Sequence, residues 1–179
     1  MKQAERQAVL LSLIARLRER GSWCGETHIQ KDTFFLQEGC DVPVEFNYIM
    51  YKHGPYSFDL NDELTAMRAD GLLTVVPAEP YGAHLYPSEM APTFLARFRN
   101  TVGRHAAAVE RVARHMATKN VKELERSATA LYVLRSQPAA TTDVLAAEIN
   151  RLKPHMSIAE ATVALAEVRQ FIDLAQSPA

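Results

Sequence analysis

The chain has 179 residues, 47% of them apolar and 23% charged, and a formal net charge of −1. A chain of this size can bury roughly 70% of its unfolded surface, so it is neither a disordered tail nor dependent on metal or disulfide staples. Its apolar runs are too short for a bilayer-spanning helix. Two cysteines, Cys24 and Cys40, with no leader segment read ahead of them, lead us to expect a reduced, cytoplasmic protein.

In chain order, Val9, Leu10, Leu13, Ile14 and Leu17 fall at helical spacing over about 2 to 20, and Gly21 closes that helix. Thr27-His-Ile-Gln30 has the pattern of a capping box and opens a second helix that carries Phe34, Phe35 and Leu36 and ends at Gly39. Residues 46 to 51 are aromatic and β-prone and predict a short strand, after which Gly54-Pro55 breaks the chain. Ser57 caps a third helix whose buried stripe is Leu60, Leu64 and Met67 and which Gly71 stops. Strands at Leu72 to Val76 and at His84 to Tyr86 flank a turn-rich loop.

From about 88 onward the pattern is helical: one stretch with Phe94 and Phe98, then Val102 to Met116, then a helix behind an Asn120 cap, one near 141 to 152, and a last one from Ser157, where Ser157-Ile-Ala-Glu160 is a second capping box. Helix, helix, helix and hairpin is the order of a winged helix. The fold class we expect is therefore α+β and mostly helical: a winged-helix-like module with a small β-hairpin over residues 1–87, and a helical region over 88–179 packed on it without a flexible linker.

Four stretches stand in register: Gln30-Lys31 before an aromatic helix, Tyr51-Lys-His-Gly-Pro-Tyr-Ser57, the segment Leu64 to Leu73 ending in Asp-Gly-Leu-Leu, and Leu-Lys-Pro-His-Met-Ser157. On these the chain resembles the uncharacterised YwgA-like bacterial proteins over about residues 5 to 170, and more distantly, over its first half, the Panacea domain of SocA-type antitoxins. The resemblance implies a winged-helix-type fold without catalysis, found in toxin neutralisation, phage defence and regulation through protein contacts. It supplies no catalytic residue.

Charge argues against the third helix as a DNA reader. Residues 58 to 70 carry Asp59, Asp62, Glu63 and Asp70 against Arg68, and acids facing phosphates repel instead of releasing counterions. The wing, residues 77 to 87, carries Glu79 and no Lys or Arg, and residues 39 to 56 are far longer than a helix-turn-helix turn. The basic stretch lies at 97 to 122, where Arg97, Arg99, Arg104, Arg111, Arg114, Lys119 and Lys122 face one acid, Glu110. Such faces are commonly solvated surface or partners of an acidic neighbour, for instance the third helix of the same chain or of a second copy. A nucleic-acid role for Arg97, Arg99, Arg104, Arg111 and Arg114 is therefore the alternative and not the favoured reading.

Tyr48, Tyr51, His53, Tyr56, Phe58, Tyr81 and Tyr86 make the middle of the first half aromatic, and aromatics with polar tips exposed together mark a partner surface. The favoured expectation is a non-enzymatic module that binds another protein through Tyr51, His53, Tyr56, Phe58, Asp59, Asp62 and Glu63, antitoxin-like or accessory to a defence system; a homodimer is a further candidate assembly. Arg99 to His105 has the spacing of a metal-independent HEPN-type ribonuclease motif, but Gly103 is expected to interrupt the helix that should carry the pair. No metal site, Gly-rich phosphate loop or cofactor is predicted: Cys24-x3-His28 is a lone near pair, and the other histidines lack zinc-site spacing.

Overall fold

The first helix, α1 (Gln3–Glu19), is apolar on nearly every side: Ala8, Val9, Leu10, Leu11, Leu13, Ile14 and Leu17 are all fully buried. A helix with that pattern must lie in the middle of the protein. In the computed structural model, which describes residues 1–78 and 82–176, it does so, packed against later elements from both halves of the chain. Gly21 follows α1 with φ +82°, the left-handed conformation that ends helices without the steric cost a Cβ would bring.

The order continues α2 (Glu26–Phe34), a π-helical turn (Phe35–Gly39), β1 (Ile49–Tyr51), β2 (Gly54–Tyr56), α3 (Phe58–Ala69), β3 (Leu73–Ala78), β4 (Gly82–Pro87), α4 (Ala91–Arg97), α5 (Arg99–Met116), α6 (Val121–Ser136), α7 (Thr142–Leu152) and α8 (Ile158–Gln176). The fold is α+β and mostly helical, with two small antiparallel hairpins among the described residues. In β1–β2, Ile49 pairs with Tyr56, Met50 with Pro55 and Tyr51 with Gly54; in β3–β4 the register runs from Leu73 opposite Pro87 to Ala78 opposite Gly82.

The order helix, helix, helix, hairpin is thus modified by a hairpin inserted before α3. The expected strand over 46 to 51 shrinks to Ile49–Tyr51 because Phe46 is held elsewhere, exchanging two hydrogen bonds with the Gln37 side chain. Gly54-Pro55, expected to break the chain, forms the returning strand. Proline is tolerated there because an edge strand does not need its N–H.

The ends of the helices follow local chemistry. Ser57 Oγ accepts from the Leu60 N–H at the start of α3, Asn120 and Glu123 make a reciprocal box on α6, and Ser157 and Glu160 do the same on α8. Thr27 is a correction: Gly25 caps α2, Thr27 lies inside its first turn, and Gln30 is spent on a different partner. Gly103 is another, since α5 runs straight through it. A helical glycine costs about 1 kcal/mol. Burial of Val109, Val112, Ala113 and Met116 outweighs that.

One continuous hydrophobic core crosses the 87/88 boundary: Leu10, Phe35 and Leu60 belong to the same cluster as Val112, Leu131 and Leu165. α5 lies along α1, α6 against α2 and β2, and α7 and α8 against α6.

Candidate protein-docking site

The β1–β2 hairpin is fastened to the helices by buried polar side chains. Gln30 on α2 forms a two-way bond with the Ser57 backbone, its amide donating to the carbonyl at 2.9 Å and its oxygen accepting from the N–H at 2.9 Å. Next to it, Lys31, 1% exposed, donates from Nζ to the Pro55 carbonyl at 2.8 Å. From the far end of the chain Lys153, also buried, donates to the carbonyls of Tyr51 (2.9 Å) and Lys52 (2.7 Å) and pairs with buried Glu125 at 2.9 Å. Burial pushes the Lys31 ammonium down to about 8 despite the nearby Glu125 carboxylate. Three of the motifs behind the family resemblance, Gln30-Lys31, Tyr51 to Ser57 and the segment around Lys153, thus meet at one hairpin.

Gly54 is required twice at this junction. Its φ is +88°, and a Cβ there would stand 3.3 Å from Thr129 Oγ1 and 3.6 Å from the Glu125 carbonyl on α6. The backbone of the hairpin therefore lies directly on α6, and donors from α2 and the α7–α8 connection meet the carbonyls on either side of it.

So held, the hairpin and the start of α3 present three rings together. The Tyr56 and Phe58 centroids are 5.1 Å apart at 72°, Tyr51 and Phe58 5.9 Å at 67°, and Tyr51 and Tyr56 5.7 Å at 44°. These are the tilted and edge-on arrangements aromatic pairs prefer. Tyr51 (53% exposed), Phe58 (54%) and Ile49 (48%) nevertheless face solvent, and Tyr56 is half-buried, its hydroxyl donating to Glu26 Oε1 at 2.8 Å. Partial burial, the Glu26 carboxylate, and the more distant Tyr51 and Asp62 push the Tyr56 hydroxyl up to about 12. Glu26, Asp59 and Asp62 are exposed around the rings, and Asp59 accepts from Asn47 Nδ2 at 3.0 Å.

Of the residues expected to bind a partner, Tyr51, Tyr56, Phe58, Asp59 and Asp62 are brought together, and His53 is exposed at the hairpin turn. Glu63 is a correction. Only 6% exposed, its carboxylate accepts from Gln3, Arg6 and Gln7 and ties α3 to α1, so it is not offered to a partner. Helical geometry explains this: Glu63 sits on the same side of α3 as Leu60 and Leu64.

Tyr48 packs edge-on against Phe34, and Tyr86 is covered by Arg18, whose guanidinium lies 4.0 Å from its ring centre; neither joins the platform. Tyr81 and Glu79 lie outside the described residues. Gln30, Lys31, Glu125 and Lys153 were missed by sequence reasoning. For Gln30, Lys31 and Lys153 the only sequence signal was membership of those motifs, and Glu125 had none, because a charged residue in an amphipathic segment ordinarily reads as solvent-facing.

Arg97, Arg99, Arg104 and Arg114 are exposed and Arg111 is half-buried along α4 and α5. Arg99 and His105, six positions apart on one helix, point roughly 120° apart around its axis. His105 is half-buried, with burial and then the adjacent Arg104 holding its pKa below the usual histidine range. Cys24 and Cys40 are free thiols, each pushed up to about 11 by burial. Among the described residues no group of three or more His, Cys, Asp or Glu side chains could hold a metal ion, and no helix is long and apolar enough to cross a membrane.

The fold and site together define a mostly helical α+β protein with a fastened aromatic hairpin. No protein-family model matches the chain, and no curated protein is significantly similar to it.

Proposed function

We propose that this protein is a non-catalytic binding module that docks on another protein through the Tyr51, Tyr56 and Phe58 platform. One observation carries the reading: three mutually packed rings, two of them more than half exposed, sit on a backbone immobilised by buried Lys31, Lys153 and Gln30. A surface built this way loses little conformational entropy on binding, and aromatic anchors dominate protein interfaces. The surrounding Glu26, Asp59 and Asp62 suit a partner whose contact surface is basic. Among roles of this kind the motif resemblance favours an antitoxin-like or defence-accessory subunit that covers a toxin or effector, its basic nucleic-acid-binding surface being the natural target.

The test is co-expression of the tagged full-length chain with the products of its neighbouring genes, followed by purification and titration of any complex. The expected result is a stoichiometric complex that the Tyr51→Ala/Phe58→Ala double variant weakens at least tenfold while its circular dichroism is unchanged. A complex that survives the double variant at full strength would refute the assignment of this surface.

A further inference from the structure

α1 and α5 run side by side, and the end of α1 adds arginines to those of α5. Glu110 on α5 is approached by three guanidinium groups: Arg20, Arg16 at 3.6 Å and Arg114 at 3.4 Å. One carboxylate neutralises one of them. Glu19 lies 2.5 Å from Arg16 as well, and exposed Arg104 and half-buried Arg111, seven positions apart on α5, add two more cations. The face thus carries Arg16, Arg20, Arg104, Arg111 and Arg114 against Glu19, Glu110 and, beside Arg111 and Arg114, Glu167, with Arg97 and Arg99 exposed at its end.

What separates the α5 arginines also matters. Asn100, Gly103, Ala106 and Ala107 are the exposed residues among them, all small. The crest of a helix about 27 Å long is therefore open to a rigid rod, its long side chains nearly all cations. The exposed residues of the crest include no aromatic ring on which an unstacked base could lie, as single-strand binders do, and the apolar side chains beside Arg111 and Arg114 are buried Phe171 and exposed Leu174 of α8. Phosphate contacts need neither a ring nor an apolar side chain.

We infer that the α1–α5 face binds the phosphate backbone of double-stranded DNA, without reading sequence, as a second binding function independent of the aromatic platform. Arg104 and Arg111 lie about 10 Å apart along the helix, far enough to reach different phosphates. Arg16, Arg20 and Arg114 extend the contact sideways, and Glu110, drawing three of them together, keeps their donors grouped between phosphate contacts.

Fluorescence anisotropy of the full chain with a labelled 30-base-pair duplex of arbitrary sequence, read as a function of salt, tests this. We expect micromolar binding at low salt and a log K against log [salt] slope between about −3 and −5, corresponding to roughly four or five phosphates. Arg104→Glu/Arg111→Glu should weaken binding at least tenfold and flatten the slope by about 2. Arg104→Ala/Arg111→Ala serves in its place if circular dichroism shows the reversal to be unfolded. The Tyr51→Ala/Phe58→Ala variant should bind the duplex as the parent does, which separates failure here from failure of the protein-docking reading. Absence of salt-dependent duplex binding, unchanged binding by both arginine variants, or tighter binding of a 30-base single strand, of poly-glutamate or of phosphatidylserine vesicles would each overturn the inference.

Discussion

The two faces of this protein use opposite physics. The aromatic platform is positioned from beneath: its rings stand on carbonyls that buried Lys31 and Lys153 hold from α2 and the α7–α8 connection, so its geometry is set before any partner arrives. The arginine face has almost no such support. Its side chains are mostly exposed and share Glu19 and Glu110, so it acts through long-range charge and not through shape. The first arrangement favours a specific partner that fits the rings. The second favours attraction that salt screens within about 10 Å.

Removing the support should break the first face and spare the second. Lys153→Ala deletes donors to Tyr51 and Lys52 and strands Glu125 as a buried, half-paired carboxylate. A loss of about 3 to 5 kcal/mol is expected in urea unfolding, with accelerated amide exchange in β1–β2.

Acidity sharpens the same contrast. Lys31 has its pKa depressed to about 8 in the fold against about 10.5 unfolded, so between those values the unfolded chain binds more protons and stability rises with pH; below 8 the cost of the buried charge is fully present. That contribution is on the order of 3 kcal/mol. It should be visible as the difference between parent and Lys31→Met unfolding curves from pH 7.5 to 10, with Glu125, Lys153, Glu26 and Asp32 as the charges around it. A parallel pair of curves would show that Lys31 does not titrate in this window.

Gly54→Ala should cost about 1 to 3 kcal/mol in thermal or urea unfolding, since it combines a left-handed backbone with crowding against Thr129. Smallest in stability are the surface changes: Tyr51→Ala/Phe58→Ala and Arg104→Ala/Arg111→Ala should each shift unfolding by about 1 kcal/mol or less. They differ in what they abolish. The aromatic pair should lose protein binding alone, and the arginine pair duplex binding alone.

Local signals in the sequence placed much of this architecture. Ser57, Asn120 and Ser157 cap the helices their spacing announces, and Leu60, Leu64 and Met67 form the buried stripe of α3. The aromatic identity of the platform was also legible, because Tyr51, Tyr56 and Phe58 are close in the chain. Thr27-x-x-Gln30 misled because a capping box is a local pattern, whereas Gln30 has a better offer 27 positions away, two bonds to Ser57 shielded from water. The inserted hairpin was hidden by a proline that only an edge strand tolerates.

By itself, then, the order of residues determined the helices, most of their ends and the signs of the charges, since these depend mainly on neighbours within a few positions. Tertiary structure decided which charges face inward. Glu63 turned to α1, and Lys31 and Lys153 were drawn under a hairpin about a hundred residues from the second of them. It also joined Arg16 and Arg20 to the arginines of α5. A charged side chain is exposed or buried according to what packs over it, and that packing is made by segments distant in sequence.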